Sequence, residues 1–146
     1  MWNLIRWEWL GILLARVVVG LLFLLSGSGK LWNADKRAAM RKTLEDAHIP
    51  RPGANALLVA SVEFSGGAML LLGAFTPIAC VLLSGVMAVA IVTTRMHEIK
   101  ATTAFDWLAE FLYLPELLYL VILVWLFFSG PGHLSLDHLV LVRAFS

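Results

Sequence analysis

The sequence predicts an all-α membrane protein, an antiparallel four-transmembrane-helix bundle with a short amphipathic helix between helices 1 and 2. Of its 146 residues, 60% are hydrophobic and only 14% are charged, whereas about half of the residues in a soluble domain are apolar. Four apolar runs approach the roughly twenty residues that cross a bilayer. Only the connection between the first two runs is both long and polar.

The four predicted spans cover about 10–31, 55–73, 77–94 and 110–129. The second and third form a hairpin, because the connection at 73–77 is too short and apolar for anything but a tight turn. Pro115 falls in the first turns of the fourth span, where a proline is least disruptive or produces a kink. No repeat, low-complexity tract or boundary interrupts the chain, so residues 1–146 are expected to form a single domain.

The polar connection after the first span predicts a short interfacial helix over about 35–48. Asp35 is its expected N-cap, and Pro50 and Pro52 stop it. The first and third connections carry most of the Lys and Arg residues. Because basic residues accumulate on the cytoplasmic side, these connections are predicted to be cytoplasmic and both termini external.

Glu63 is the most informative residue, because it places a carboxylate inside the second apolar run. A charge at that depth costs about 2.5 to 3.5 kcal/mol on insertion scales, so it normally faces the bundle interior and marks a partner or a function. Gly66 and Gly67 follow it and admit a neighbouring backbone. On the first helix, one stripe at helical spacing carries Arg16, Gly20, Phe23, Gly27 and Lys30.

Depth along the helices brings several ionisable side chains toward one membrane half. Glu63 lies roughly 12 Å from the surface where the first helix ends, at 1.5 Å per residue. The candidate binding residues are Arg16, Lys30, Glu63, Arg95, His97 and Glu116. Three interpretations stay open. These residues could form buried ion pairs that fix packing, in which Glu63 pairs with Arg16 or Lys30 and Glu116 pairs with Arg95. They could instead form a pocket for a ligand or quinone headgroup, or a path for protons or ions.

Other chemistries find little support in the sequence. Cys80 is the only cysteine, which excludes an intramolecular disulfide and a C-x-x-C pair, and we expect it to be a buried small hydrophobe. His133 and His138 flank Asp137 in a tail expected to form an interfacial helix, but interfacial histidines are more often solvated, so no metal site is predicted. No extended basic face suggests a nucleic-acid partner, and no motif assigns catalytic residues.

Three motifs together resemble the DoxX family of small four-helix membrane proteins. They are the first-helix stripe R-x3-G-x2-F-x3-G-x2-K, the second-helix pattern E-x2-G-G-x2-L-x2-G-x2-T-P beginning at Glu63, and the ending GPGHLSLD at 130–137. Glu116 also resembles the acidic position that the family carries at the start of its last helix.

The resemblance implies a multi-pass protein of the bacterial cytoplasmic (inner) membrane, associated with redox systems. The related DoxD type is a subunit of thiosulfate:quinone oxidoreductase. We therefore expect the membrane subunit or quinone-proximal partner of an oxidoreductase system, with quinone as the implied cofactor. Its expected partners are the lipid bilayer and a soluble or membrane redox protein. We also expect homo-oligomers. The alternative is a non-enzymatic scaffold or assembly factor whose buried charges only fix helix packing.

Overall fold

The computed structural model describes residues 7–96, 99–101, 103–132 and 134–137. All regular structure in these residues is helical, which confirms the predicted all-α class. The helices are α1 (Glu8–Trp32), α2 (Ala34–Asp46), α3 (Pro52–Leu72), α4 (Thr76–Ala90), a π-helical segment (Ile91–Arg95), α5 (Ala104–Leu112) and α6 (Pro115–Ser129).

Three helices of the described chain are long and apolar enough to cross a membrane: α1, α3, and α4 extended through the π-helical segment. They cover the first three predicted spans. The fourth predicted span, 110–129, is not one straight helix, because α5 and α6 meet at a bend of 60° and pass the same test only as a pair.

Pro115 causes the bend between α5 and α6. A proline disfavours the helical conformation of the residue before it, and Leu114 is extended, with φ −66° and ψ 123°. Pro115 therefore starts α6 instead of lying within the first turns of a longer helix. The 15 residues of α6 reach about 22 Å, short of a hydrocarbon core of roughly 30 Å.

Helices α1 and α3 are antiparallel and their backbones touch. A Cβ atom at Gly27 would lie 2.7 Å from the carbonyl oxygen of Ala60, and one at Gly67 would lie 2.7 Å from the carbonyl oxygen of Gly20. Such distances exclude any side chain at these positions, so the glycines allow van der Waals contact between the two backbones. The predicted stripe on α1 faces this contact.

Helix α2 lies across one end of the α1–α3 pair. Its N-cap is Asn33, whose Oδ1 accepts hydrogen bonds from the amides of Asp35 (2.9 Å) and Lys36 (3.3 Å). Asp35, the expected cap, is instead the acidic residue of the first turn. Leu44 is 5% exposed and fixes α2 against the membrane-spanning helices.

The core lies where α1, α3, α4 and α6 meet, and its largest fully buried apolar side chains are Phe23, Leu70, Leu83, Leu123 and Leu126. Cys80 belongs to the same cluster, as expected of a small buried hydrophobe. These contacts hold α4 and α6 against the α1–α3 pair.

Candidate functional site

A cavity of about 720 Å³ lies between α1, α2, α3, α4 with its π-helical segment, and α6. Most of its wall is apolar. Ten of its lining residues carry polar side-chain groups: Ser26, Lys30, Thr43, Asn55, Glu63, Thr93, Thr94, Arg95, Glu116 and Tyr119. The cavity is thus apolar with localised polar patches, which is the usual character of a small-molecule site.

The first polar patch is a buried ion pair between α1 and α3. The Lys30 ammonium donates to both carboxylate oxygens of Glu63, at 2.7 and 2.6 Å. Ser26 Oγ donates to Glu63 Oε2 at 3.0 Å. Ser26 and Lys30 are four residues apart on α1, so they share one face toward α3. Glu63 is 3% exposed; its charge is compensated by Lys30, and Ser26 donates a further hydrogen bond.

The second polar patch joins the end of the π-helical segment to the first turn of α6. Arg95 Nε donates to Glu116 Oε1 at 2.8 Å. The other carboxylate oxygen of Glu116, Oε2, is buried and has no hydrogen-bond partner in the described part of the chain. Pro115 positions this acid, because the helix that presents it starts at that proline.

The π-helical turn that carries Arg95 is itself part of the cavity wall, through Thr93 and Thr94. A π-helical turn holds an extra residue compared with an α-helical one, and such turns occur frequently at functional sites. Here the π-helical turn ends at Arg95, the residue that pairs with Glu116.

Four of the six predicted site residues line this cavity: Lys30, Glu63, Arg95 and Glu116. His97 lies outside the described residues. Arg16 is buried and does not line this cavity: 14 residues separate it from Lys30 on α1, or about 21 Å. A binding role for the six residues stays a prediction. Of the two partners considered for Glu63, Lys30 is the one it binds.

Arg16 belongs to a second polar cluster at the opposite end of α1. Its guanidinium donates hydrogen bonds to the carbonyl oxygens of Pro131 and Leu134. Gly73 lies directly against it, since a Cβ there would be 2.7 Å from Arg16 Nη1. Arg16 therefore holds the segment that follows α6 against the α3–α4 turn.

Asp137 completes the second cluster. Its carboxylate accepts hydrogen bonds from the amides of Phe75 (2.7 Å) and Thr76 (3.0 Å), and its own amide donates to the carbonyl of Gly73 at 3.0 Å. Asp137 thus caps the N-terminus of α4 from a distant part of the chain. From the sequence, Asp137 was expected only to lie in an interfacial helix of the tail, so its role as a cap of α4 was not predicted. His133 and His138, which flank it in sequence, lie outside the described residues.

Ser26 and Tyr119 are among the cavity residues that were not predicted from the sequence. Ser26 resembles any small residue in an apolar helix, and only its four-residue spacing from Lys30 could have singled it out. Tyr119 lies on α6, with its ring centroid 6.2 Å from that of Phe23 in an edge-to-face arrangement. Together these two rings form an aromatic part of the cavity wall.

Among the described residues, no group of three or more His, Cys, Asp or Glu side chains could hold a metal ion. The family model described as DoxX matches residues 11–96, more than half of the chain. The chain belongs to the DoxX family. No curated protein and no solved structure gave a match.

The DoxX match and the apolar helices together identify a multi-pass membrane protein. The matched residues include Lys30, Glu63 and Arg95 but end before Glu116 and before the GPGHLSLD ending. The family match thus covers the first ion pair completely and the second only in part.

Proposed function

We propose that this DoxX protein is the membrane subunit, or quinone-proximal partner, of a bacterial inner-membrane redox system, and that its cavity binds a quinone headgroup. The observation that carries the proposal is the cavity itself. Its volume of about 720 Å³ falls within the roughly 300 to 1,000 Å³ typical of small-molecule sites. Its charged groups form the two ion pairs, while most of the wall is apolar and suits an apolar molecule.

The charges of the cavity favour a neutral headgroup. Lys30 is paired with Glu63 and Arg95 with Glu116, so an anionic or cationic ligand would have to disrupt an existing pair. A neutral ring with carbonyl or hydroxyl oxygens can form hydrogen bonds with these groups while both pairs stay intact. Glu116 Oε2 has no hydrogen-bond partner among the described residues, and a quinol hydroxyl would satisfy this acceptor.

The residues present fit a quinone in three respects. Lys30 and Arg95 are donors for ring carbonyl oxygens, Glu63 and Glu116 are groups that exchange protons, and Phe23 and Tyr119 provide aromatic contacts for a flat ring. A quinone supplies two-electron, two-proton chemistry. The described residues contain no group that stores electrons, so a partner oxidoreductase would exchange the electrons with the quinone.

The same proposal includes the membrane architecture. We place the bent α5–α6 pair as the fourth crossing. Together with α1, α3 and α4 it forms an antiparallel four-helix bundle, and the bundle is a single domain. The contact of Arg95 with Glu116 supports this arrangement, because it joins the end of the third crossing to the start of α6. We expect the redox partner to bind the surface formed by the polar connections, on the side predicted to be cytoplasmic. We also expect homo-oligomers.

The test is direct binding of quinone to purified protein. Protein isolated in mild detergent is extracted with organic solvent and the extract is examined by mass spectrometry, and a short-chain quinone is titrated while tryptophan fluorescence is followed. The double variant Lys30→Met/Glu63→Leu removes the first pair without changing net charge, and we expect it to weaken binding at least tenfold. Arg41→Met/Glu45→Gln, which removes an exposed pair on α2, is the control and should bind normally.

The alternative, a scaffold or assembly factor, is favoured by the completeness of the first ion pair and by the tight α1–α3 contact, both of which suit a purely structural role. Under that alternative, folded wild-type protein carries no quinone and none binds on titration. The Lys30→Met/Glu63→Leu variant would then change thermal stability or partner assembly only.

A further inference from the structure

The wall of the cavity is interrupted on one side, between α3 and α4. Four of its exposed lining residues belong to these two helices: Leu58 (59% exposed), Leu82 (42%), Val89 (53%) and Gly85. All four are apolar. We use the name side opening for the gap that these four residues frame.

Helix α4 contacts α3 on one of its faces, whereas its face at Gly85 is open. At Gly66 a Cβ would lie 2.9 Å from Leu83 Cγ, so the two helices are in contact there. A Cβ at Gly85 would meet nothing within 4 Å. Leu83 and Gly85 are only two residues apart but face different directions, and the space beside Gly85 joins the cavity.

Two other sides of the cavity are covered by described parts of the chain. Along α1 and α3 the backbones touch at Gly20, Gly27 and Gly67, which leaves no gap between these helices. At the polar end, α2 covers the cavity with Met40 and the buried Leu44. The side opening is therefore a route to the apolar belt of the membrane, since α3 and α4 are both membrane-spanning.

We infer that the ligand is an amphipathic molecule with one long apolar tail, which reaches the cavity from the bilayer through the side opening and leaves its tail there. This inference rests on the proposed function and adds to it the tail and the access route. A headgroup held by the two ion pairs has an apolar exit beside it. A tail that leaves the cavity along Leu58, Leu82 and Val89 contacts apolar side chains there and lipid chains beyond them. The hydrophobic effect favours this placement.

Blocking the side opening tests the inference. Gly85→Trp fills the open space with an indole, and Leu82→Trp is a second variant at the same opening. Gly11→Trp is the matched control, because Gly11 also has open space beside it but lies on α1 outside the cavity. All variants are reconstituted in nanodiscs of phosphatidylcholine and phosphatidylethanolamine and checked for helix content and monodispersity.

Two quinones with the same headgroup are compared, one with a long isoprenoid tail and one without a tail. We expect Gly85→Trp to weaken binding of the long-tailed quinone at least tenfold more than binding of the tail-less one. Gly11→Trp should change neither. Equal affinities of wild type and Gly85→Trp for the long-tailed quinone, or equal losses for both quinones, would overturn the side opening and leave the proposed quinone function intact.

A second measurement does not depend on quinone. In a Cys80→Ala background, Val62→Cys places a thiol in the cavity wall. An apolar, membrane-soluble maleimide should label it, and Gly85→Trp or Leu82→Trp should slow that labelling at least fivefold. Labelling that is unaffected by both tryptophans contradicts the inference. If palmitate binds through the side opening and quinone does not, the access route stands and the quinone assignment fails.

Discussion

Lys30 and Glu63 bind each other across the contact between α1 and α3, with the ammonium bridging both carboxylate oxygens at 2.7 and 2.6 Å. The pair lies at one end of a tightly packed helix interface and in the wall of the cavity. It therefore has two consequences. It makes a carboxylate in an apolar helix tolerable, and it orients a charged pair toward the space where we place the ligand.

Replacing only the basic member of this pair should destabilise the protein. Lys30→Met leaves the buried Glu63 carboxylate with Ser26 as its only donor among the described residues, and an uncompensated buried charge costs about 2 kcal/mol or more. We expect a matching decrease in the unfolding free energy measured by titration with SDS in mixed micelles. Arg41→Met is the control, since the exposed Arg41–Glu45 pair is worth about 0.3 to 0.5 kcal/mol. Equal losses in the two variants would contradict the prediction.

The pairing of acids with bases is the part of the site that the sequence predicts best. Helical periodicity places Arg16, Gly20, Phe23, Gly27 and Lys30 on one face, and axial rise brings Lys30 and Glu63 into the same membrane half. These two constraints are local to each helix and need no knowledge of side-chain packing. They predict that Glu63 has a basic partner on α1, but they left both Arg16 and Lys30 open.

The contacts of Arg16 and Asp137 could not be predicted in the same way. Arg16 binds backbone carbonyl oxygens, and every residue has a carbonyl, so the sequence contains no signal for such a partner. Asp137 caps amides that are 61 and 62 residues away. The bend at Pro115 was also ambiguous, because a proline in the first turn of a helix and a proline that starts a new helix look alike in sequence.

The glycines of the α1–α3 contact should not tolerate even a methyl group. At Gly27, a Cβ would lie 2.7 Å from the Ala60 carbonyl oxygen, so the helices must separate, and Gly27→Ala is expected to lower the unfolding free energy by about 1 to 3 kcal/mol. Gly11→Ala provides the matched comparison, since nothing lies within 4 Å of a Cβ there. In that open position alanine improves helix propensity by up to about 1 kcal/mol. The two substitutions should therefore have opposite signs in SDS titrations; a stabilising Gly27→Ala would refute close backbone contact.

Asp137 should contribute to stability as the cap of α4. Asp137→Ala removes the acceptor for the amides of Phe75 and Thr76, and the loss of a cap costs about 1 kcal/mol. We expect this decrease in thermal or SDS unfolding, with Asp137→Asn retaining most of the stability because its amide oxygen still accepts. Asp106→Ala, in the exposed first turn of α5, is the control. Asp137→Ala with unchanged stability would show that the capping contacts are energetically unimportant.

Arg16 should be irreplaceable by lysine in holding the chain after α6. The guanidinium donates from two separate nitrogens to the carbonyl oxygens of Pro131 and Leu134, whereas one ammonium group does not have this planar fork. With Arg16→Lys, we expect the amide of Asp137, which donates to Gly73, to exchange with deuterium at least tenfold faster. Amides within α3 should exchange at the wild-type rate.

The control for this measurement is Lys30→Arg, at the opposite end of α1. It keeps the charge that pairs with Glu63 and lies far from Asp137, so the exchange rate of the Asp137 amide should not change. If Arg16→Lys leaves that rate at its wild-type value, positive charge alone holds the chain after α6. If Lys30→Arg accelerates it as strongly, the two polar clusters are coupled through α1 and Arg16 has no local role. Faster exchange in Arg16→Lys alone is the result that the two carbonyl contacts require.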